Sequence, residues 1–186
     1  MDIMLDLETL GTKPGCIVVS VGAVGFDRYT GTILREFYRV IDLADSQRHG
    51  LTIDAETVAW WMRQSDEARA VFSVSKLDVA ALEDAAFDFI EWFAECSGAA
   101  CPIWAHGAAF DLPIWEAALA AADWKAPWAF WNTRDTRTVY DLTGFDPKSV
   151  PREGTYHNAL DDARHQVRCL HLARSNGSAW QREAAE

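Results

Sequence analysis

The run Ile17-Val18-Val19-Ser20-Val21-Gly22-Ala23-Val24 constrains the fold more than any other stretch of the chain. β-Branched side chains crowd the turns of a helix and pack well on a pleated surface, so Cys16 to Asp27 reads as a strand. Ile3 to Thr9 reads as a strand before it. Tyr29-Thr30-Gly31 supplies a turn after it, and Thr32 to Ile41 then alternates apolar and polar residues. Three strands joined by short turns make an antiparallel meander.

The pattern then becomes helical. Asp54 is a candidate N-cap for a helix through Trp60, Trp61 and Met62. Leu82, Ala85, Ala86, Phe89, Ile90 and Phe93 recur at helical spacing, which predicts a helix over Asp78 to Cys96. Pro102 to His106 reads as a short buried strand, Leu112 to Ala122 as a helix, Ala129 to Asn132 as a strand and Arg134 to Leu142 as a helix. A last helix is expected from Asn158 to Arg174. Strands first, then strands alternating with helices, indicate an α/β domain with a mixed sheet flanked by helices. The length suits one domain over residues 1–175, followed by a loosely ordered tail over 176–186.

The formal charge of −11 argues against a protein that coats nucleic acid through a broad basic surface. It leaves room for a protein that grips a strand end, where bound cations can supply local positive charge. No apolar run is long enough to span a membrane, and no basic leader precedes Ile3, so a cytoplasmic protein is expected. Cys16, Cys96, Cys101 and Cys169 form no C-x-x-C pair and read as buried thiols.

Three separated segments carry acids in apolar surroundings. Alternation along the first strand puts Asp6 and Glu8 on one face, where two carboxylates repel unless a cation lies between them. A solvated strand end would account for the pair too. Asp111 follows the buried strand through Gly107-Ala108-Ala109-Phe110, and reads as a helix cap or a metal ligand. His157 and Asp162 stand at the head of the last helix, where acids also favour the helix dipole.

Together these segments resemble the DEDDh 3′→5′ exonucleases, the family of ribonuclease T, oligoribonuclease and polymerase proofreading domains. Asp6-Leu7-Glu8-Thr9 is similar to its first motif and His157-Asn158-Ala159-Leu160-Asp161-Asp162-Ala163 to its third. The segments Thr57 to Ser65 and Asn132 to Thr138 resemble a bacterial and phage subgroup that includes a mycobacterial exoribonuclease. One departure is Gly107, where many members carry asparagine.

The resemblance implies a ribonuclease H-like fold with two Mg²⁺ or Mn²⁺ ions on Asp6, Glu8, Asp111 and Asp162. Glu8 would share in catalysis, and His157 would be the general base. Asp162, five residues after His157, takes the ligand role, and Asp161 is a solvated or capping neighbour. Thr9 and Leu10 would contact the terminal nucleotide. Phe110 is a candidate wall for its base and Trp61 a weaker one, and Trp60 and Trp61 read first as core. On the residues alone, apart from the resemblance, Arg137 reads as holding either a phosphate or a structural carboxylate, and both stay open. The implied reaction is trimming of single-stranded RNA or DNA from the 3′ end to nucleoside 5′-monophosphates, with RNA favoured over a phage-like DNA exonuclease. A degenerate module that only binds strand ends would have lost a carboxylate or the histidine, and all five positions are filled. The resemblance also allows a homodimer.

Overall fold

The computed structural model describes residues 1–96 and 100–183, with side chains as far as Ser175. The chain opens with β1 (Asp2–Thr9), β2 (Val18–Phe26) and β3 (Ile33–Ile41), paired antiparallel in sequence order. Short helices α1 (Leu43–Arg48), α2 (Ala55–Trp61) and α3 (Asp66–Arg69) follow. Then come β4 (Val79–Ala80), α4 (Leu82–Cys96), β5 (Ile103–Ala105), α5 (Ala108–Ala121), β6 (Thr133–Asp135), α6 (Thr136–Thr143) and α7 (Ala159–Glu183). The six strands lie in the order β4-β3-β2-β1-β5-β6. β5 runs parallel to β1 and β6, and β4 parallel to β3, which gives the expected mixed sheet.

Two layers of helix cover that sheet. Ile3, Leu5 and Leu7 of β1 and Val19, Val21 and Ala23 of β2 join one core with α4 and α5. Phe89, Phe93 and Trp115 fill its centre, with Phe89 and Trp115 edge to face at 5.5 Å. Met4, Val24 and Phe26 face the other way and pack with Ala163, Val167 and Leu170 of α7. The spacing of those three α7 residues sets one apolar stripe on the sheet. All four cysteines are buried, as their apolar neighbours suggest. Among the described residues no helix is long and apolar enough to cross a membrane.

The helix expected from Asp78 starts instead at Leu82. Val79 and Ala80 are drawn into the sheet edge beside Val40 and Ile41. The first N–H of α4 is capped from α1, by Asp45 Oδ2 at 2.8 Å from Leu82 N. α5 starts four residues earlier than Leu112, at Ala108. Pro113 therefore lies inside the helix and not in its first position, where proline is best tolerated. Phe130–Asn132 forms a 3₁₀ turn, and the strand follows it at Thr133–Asp135. Asp54 caps α2 as expected, accepting from Glu56 N at 2.9 Å. The expected tail over 176–186 meets a helix whose backbone runs to Glu183, while residues 184–186 lie outside the described residues.

Candidate active site

Asp6 and Glu8 lie on the α7 side of β1, two and four residues beyond Met4. Glu8 is buried, and a register shift between Glu8 and Thr9 ends the regular pairing with β2 just there. Gly22 pairs with Asp6 across that ladder. A Cβ on Gly22 would stand 2.3 Å from Ala159 C and Leu160 N. The absent side chain therefore lets the first turn of α7 rest on the sheet backbone. That contact brings Asp162 over the end of β1, and Gln166 one turn further along. Gln166 Nε2 donates to Asp6 Oδ1 at 2.7 Å.

Asp111 arrives from the other side of the cleft. It sits in the first turn of α5, buried, and accepts a hydrogen bond from Leu7 N at 3.3 Å. The cap position itself is held by Gly107, at φ 101°. A side chain there would meet the guanidinium of Arg137, whose Cζ is 3.2 Å from the position of a Cβ. His157 takes a positive φ of 60°, uncommon for a residue other than glycine. Its ring stands edge-on to Trp60 at 4.9 Å and to Trp61 at 6.0 Å. Asn158 caps α7 directly after it, accepting from Asp161 N at 3.1 Å. Ligand atoms of Glu8, His157 and Asp162 all lie within 4.8 Å of one another. These three, with Asp6, Asp111, His106, Phe110 and Arg137, line one cleft of about 350 Å³.

Burial of so many acids sets the electrostatics. Burial, then the like charges of Asp111 and Glu8, pushes the Asp6 carboxyl well above the usual range. Glu8 is pushed up to about 8, first by burial and then by Asp111. Burial raises Asp111 to about 7, and the Leu7 N–H pulls it back. His157 is pushed down by burial and by the nearby Arg152, which favours the neutral imidazole. Arg152 is the counter-charge of the cleft. It is mostly buried, pairs with Asp162, and stacks over Tyr156 at 4.4 Å. Its charge also draws Asp6 and Glu8 down.

These residues fit a divalent cation. The donors are carboxylate oxygens, which suit hard ions such as Mg²⁺ and Mn²⁺. Their mutual repulsion is relieved by a positive charge, and Gln166 Oε1 is a buried acceptor with no hydrogen-bond partner. Asp161 stands apart from the cleft. It pairs with Arg164 at 2.8 Å and accepts from Thr155 N at 2.8 Å, so it braces the loop before α7.

A second pocket of about 520 Å³ adjoins the cleft, sharing Glu8 and Phe110 with it. Thr9, Trp60, Trp61 and Arg63 also line it. Phe110 is 37% exposed and lines both spaces. Trp61 is buried, and its Nε1 donates to Thr9 O at 2.8 Å, so it serves as core and wall at once. The Thr9 hydroxyl is engaged with Gly11 O at 2.7 Å. Leu10 is buried and lines a neighbouring apolar groove with Trp61 and Phe72, outside the carboxylate cleft.

Sequence reasoning missed Gln166, Arg152 and Gly22. Gln166 lies four residues after Asp162, on the same helical face, and that spacing alone could have found it. Arg152 lies in a loop with no periodicity to read.

Comparison with known proteins gives the family and the fold. A family model described as the 3′-5′ exoribonuclease Rv2179c-like domain matches residues 1–173. The chain belongs to that family. It is on that ground a 3′-5′ exonuclease, a hydrolase of phosphodiester bonds. The exodeoxyribonuclease of Enterobacteria phage T4 is 26% identical over 209 residues, covering 92% of this chain and 88% of the phage protein. The nuclease domain of 3′hExo, a DEDDh member bound to rAMP, superposes with a TM-score of 0.60 at 13% identity, over 94% of this chain and 92% of that one. Cell-death related nuclease 4 (CRN-4) gives 0.61 at 16% identity, over 95% of this chain and 65% of that one. Exonuclease I gives 0.62 at 15% identity, over 94% of this chain but only 41% of its own length. The shared fold is the ribonuclease H-like one that the motifs implied.

Proposed function

We propose that this exonuclease trims single-stranded nucleic acid from its 3′ end, RNA in preference to DNA, releasing nucleoside 5′-monophosphates. The observation that carries this reading is the meeting of four carboxylates and a neutral histidine in one cleft beside a pocket of nucleotide size.

Asp6, Glu8, Asp111 and Asp162 would hold the cations, two Mg²⁺ or Mn²⁺ in this reading. Such ions supply positive charge to the attacking water and to the departing 3′ oxygen. His157 takes the proton of that water at a ring nitrogen. Its lowered basicity keeps the ring neutral and ready at neutral pH. Trp60 holds the ring edge-on and fixes where it points. The bond from phosphorus to the 3′ oxygen breaks, leaving a shortened strand with a free 3′ hydroxyl. Phe110 and Trp61 wall the pocket for the terminal base, and Thr9 bounds it from the end of β1. Stacking accepts any base, which suits trimming without sequence preference.

The family description favours RNA. The phage relative, named an exodeoxyribonuclease, favours DNA as the second reading. Contacts to the 2′ hydroxyl decide between them.

The test uses 5′-labelled single-stranded RNA and DNA of one sequence, with Mg²⁺, Mn²⁺ or EDTA, beside Asp6→Ala. Stepwise ladders that need the cation and vanish in the variant are expected, faster on RNA. A faster DNA ladder would transfer the reading to DNA. No shortening of either polymer under any cation would leave an end-binding module in its place.

A further inference from the structure

Two arginines meet the carboxylate cleft, Arg137 as part of its lining and Arg152 through Asp162, and they are used differently. Arg152 is paired with Asp162 and largely buried. Arg137 stands exposed in the first turn of α6 and lines the cleft beside Asp111, Phe110 and His157. Among the described residues its guanidinium makes no ion pair and no hydrogen bond, although its charge is felt at Asp111 and at His106.

Its placement is built by the backbone. Asp135 accepts from Arg137 N at 2.8 Å, from Ala108 N at 2.9 Å and from Gly107 N at 3.4 Å. One carboxylate thus ties the head of α6 to the head of α5. The guanidinium then lies in the space that a side chain at 107 would fill, with Cζ, Nη1 and Nη2 at 3.2, 3.3 and 3.4 Å from the position of a Cβ. Gly107 keeps that space open, and its φ of 101° excludes most other residues.

A guanidinium offers a planar fork of donors that matches two oxygens of a phosphate. The chain carries a net charge of −11, and the cleft itself is acidic, so an approaching phosphate meets repulsion nearly everywhere. A solvent-facing arginine with no protein partner at this place is suited to offset it. We infer that Arg137 is a further substrate-binding residue, whose guanidinium grips the phosphate of the 3′-terminal nucleotide in the space left by Gly107. This inference rests on the exonuclease reading above and adds a residue to it.

The rival role is a counter-charge for Asp111, and binding separates the two. Calorimetry with Mg²⁺ present would titrate wild type, Arg137→Gln and Arg137→Lys with a nucleoside 5′-monophosphate and with the same nucleoside lacking phosphate. Expected is a loss of about tenfold or more in monophosphate affinity for Arg137→Gln, the worth of one charge-assisted contact. Nucleoside affinity and Mg²⁺ affinity should stay unchanged, and lysine should restore only part of the loss. On oligonucleotides KM should rise more than kcat falls. The slope of log affinity against log salt should shrink by about 0.7, as for one phosphate contact on a single strand. Equal weakening of both ligands, weakened Mg²⁺ binding, or no change at all would overturn the inference, and so would a wild type that does not bind the monophosphate. A wild type that binds the monophosphate in an Arg137-dependent way yet cuts nothing would overturn the exonuclease reading instead and leave the phosphate contact standing.

Discussion

The face of β1 that turns toward α7 is divided in two. Its first half carries Met4, packed against Val24, Phe26, Ala163, Val167 and Leu170. Its second half carries Asp6 and Glu8 beneath the same helix. The apolar half stabilises the fold by taking hydrocarbon out of water, about 25 cal/mol per Å². The acidic half does the reverse. Its carboxyls are pushed up in pKa, which means that burying them in charged form costs stability. One helix is therefore fastened by one half of a strand and put to use by the other. The apolar half holds the helix by packing, and the acidic half meets it through the hydrogen bond from Gln166 Nε2 to Asp6 Oδ1.

Charge removal at constant shape is the sharpest way to break this division. Asp6→Asn should lower nuclease turnover by about 10³-fold or more, since several kcal/mol of charge stabilisation leave with the ligand. The melting temperature measured in EDTA should hold or rise, because a repulsion is removed. A variant that loses both activity and stability would show that the acids also hold α7. His157→Ala should come next, at about 10² to 10⁴-fold in kcat. A pH–rate profile that loses its lower limb would tie that loss to the proton.

Gly22→Val should damage both halves together, since α7 cannot approach a branched side chain at that point. Circular dichroism and activity are expected to fall in step. In the apolar half, Leu170→Ala should cost about 2–5 kcal/mol in denaturant unfolding. Turnover per folded molecule should change little.

A further effect is one of pH. Glu8 titrates near 8 in the folded chain against an ordinary value of 4.5. Above pH 4.5 the unfolded chain sheds this proton while the folded chain keeps it. Stability should therefore decline as pH rises through that window and level off above about 8. Added Mg²⁺, which needs the ionised carboxylates, should raise the melting temperature more near the upper end of the window than near the lower. Glu8→Gln should weaken both trends and leave the share that Asp6 and Asp111 contribute.

Much of this was legible in the sequence. β1, β2 and β3 were readable because β-branched runs and alternation are local signals. A period of two placed Asp6 and Glu8 on one face, and the resemblance to the family's third motif singled out His157 and Asp162 at a helix head. What escaped depends on long-range contact. β4 is two residues drawn in by Val40 and Ile41, and the cap of α4 is Asp45, far back in the chain. Phe130 and Trp131 have the composition of a strand, yet Asn132 N turns back to Ala129 O at 2.8 Å. Arg152 meets Asp162 only because a loop without pattern folds over the cleft.

The narrow passage at Gly22 also sets an order in time. The strand that admits α7 is made early in synthesis, and the helix it admits is made late, with Gln166 meeting Asp6 across 160 residues. A chain still emerging from the ribosome holds Asp6, Glu8 and Asp111 but has not yet received His157 or Asp162. On the proposed site, nuclease activity would arrive in a single late step, and a chain broken before its last helix is expected to be silent rather than partly active.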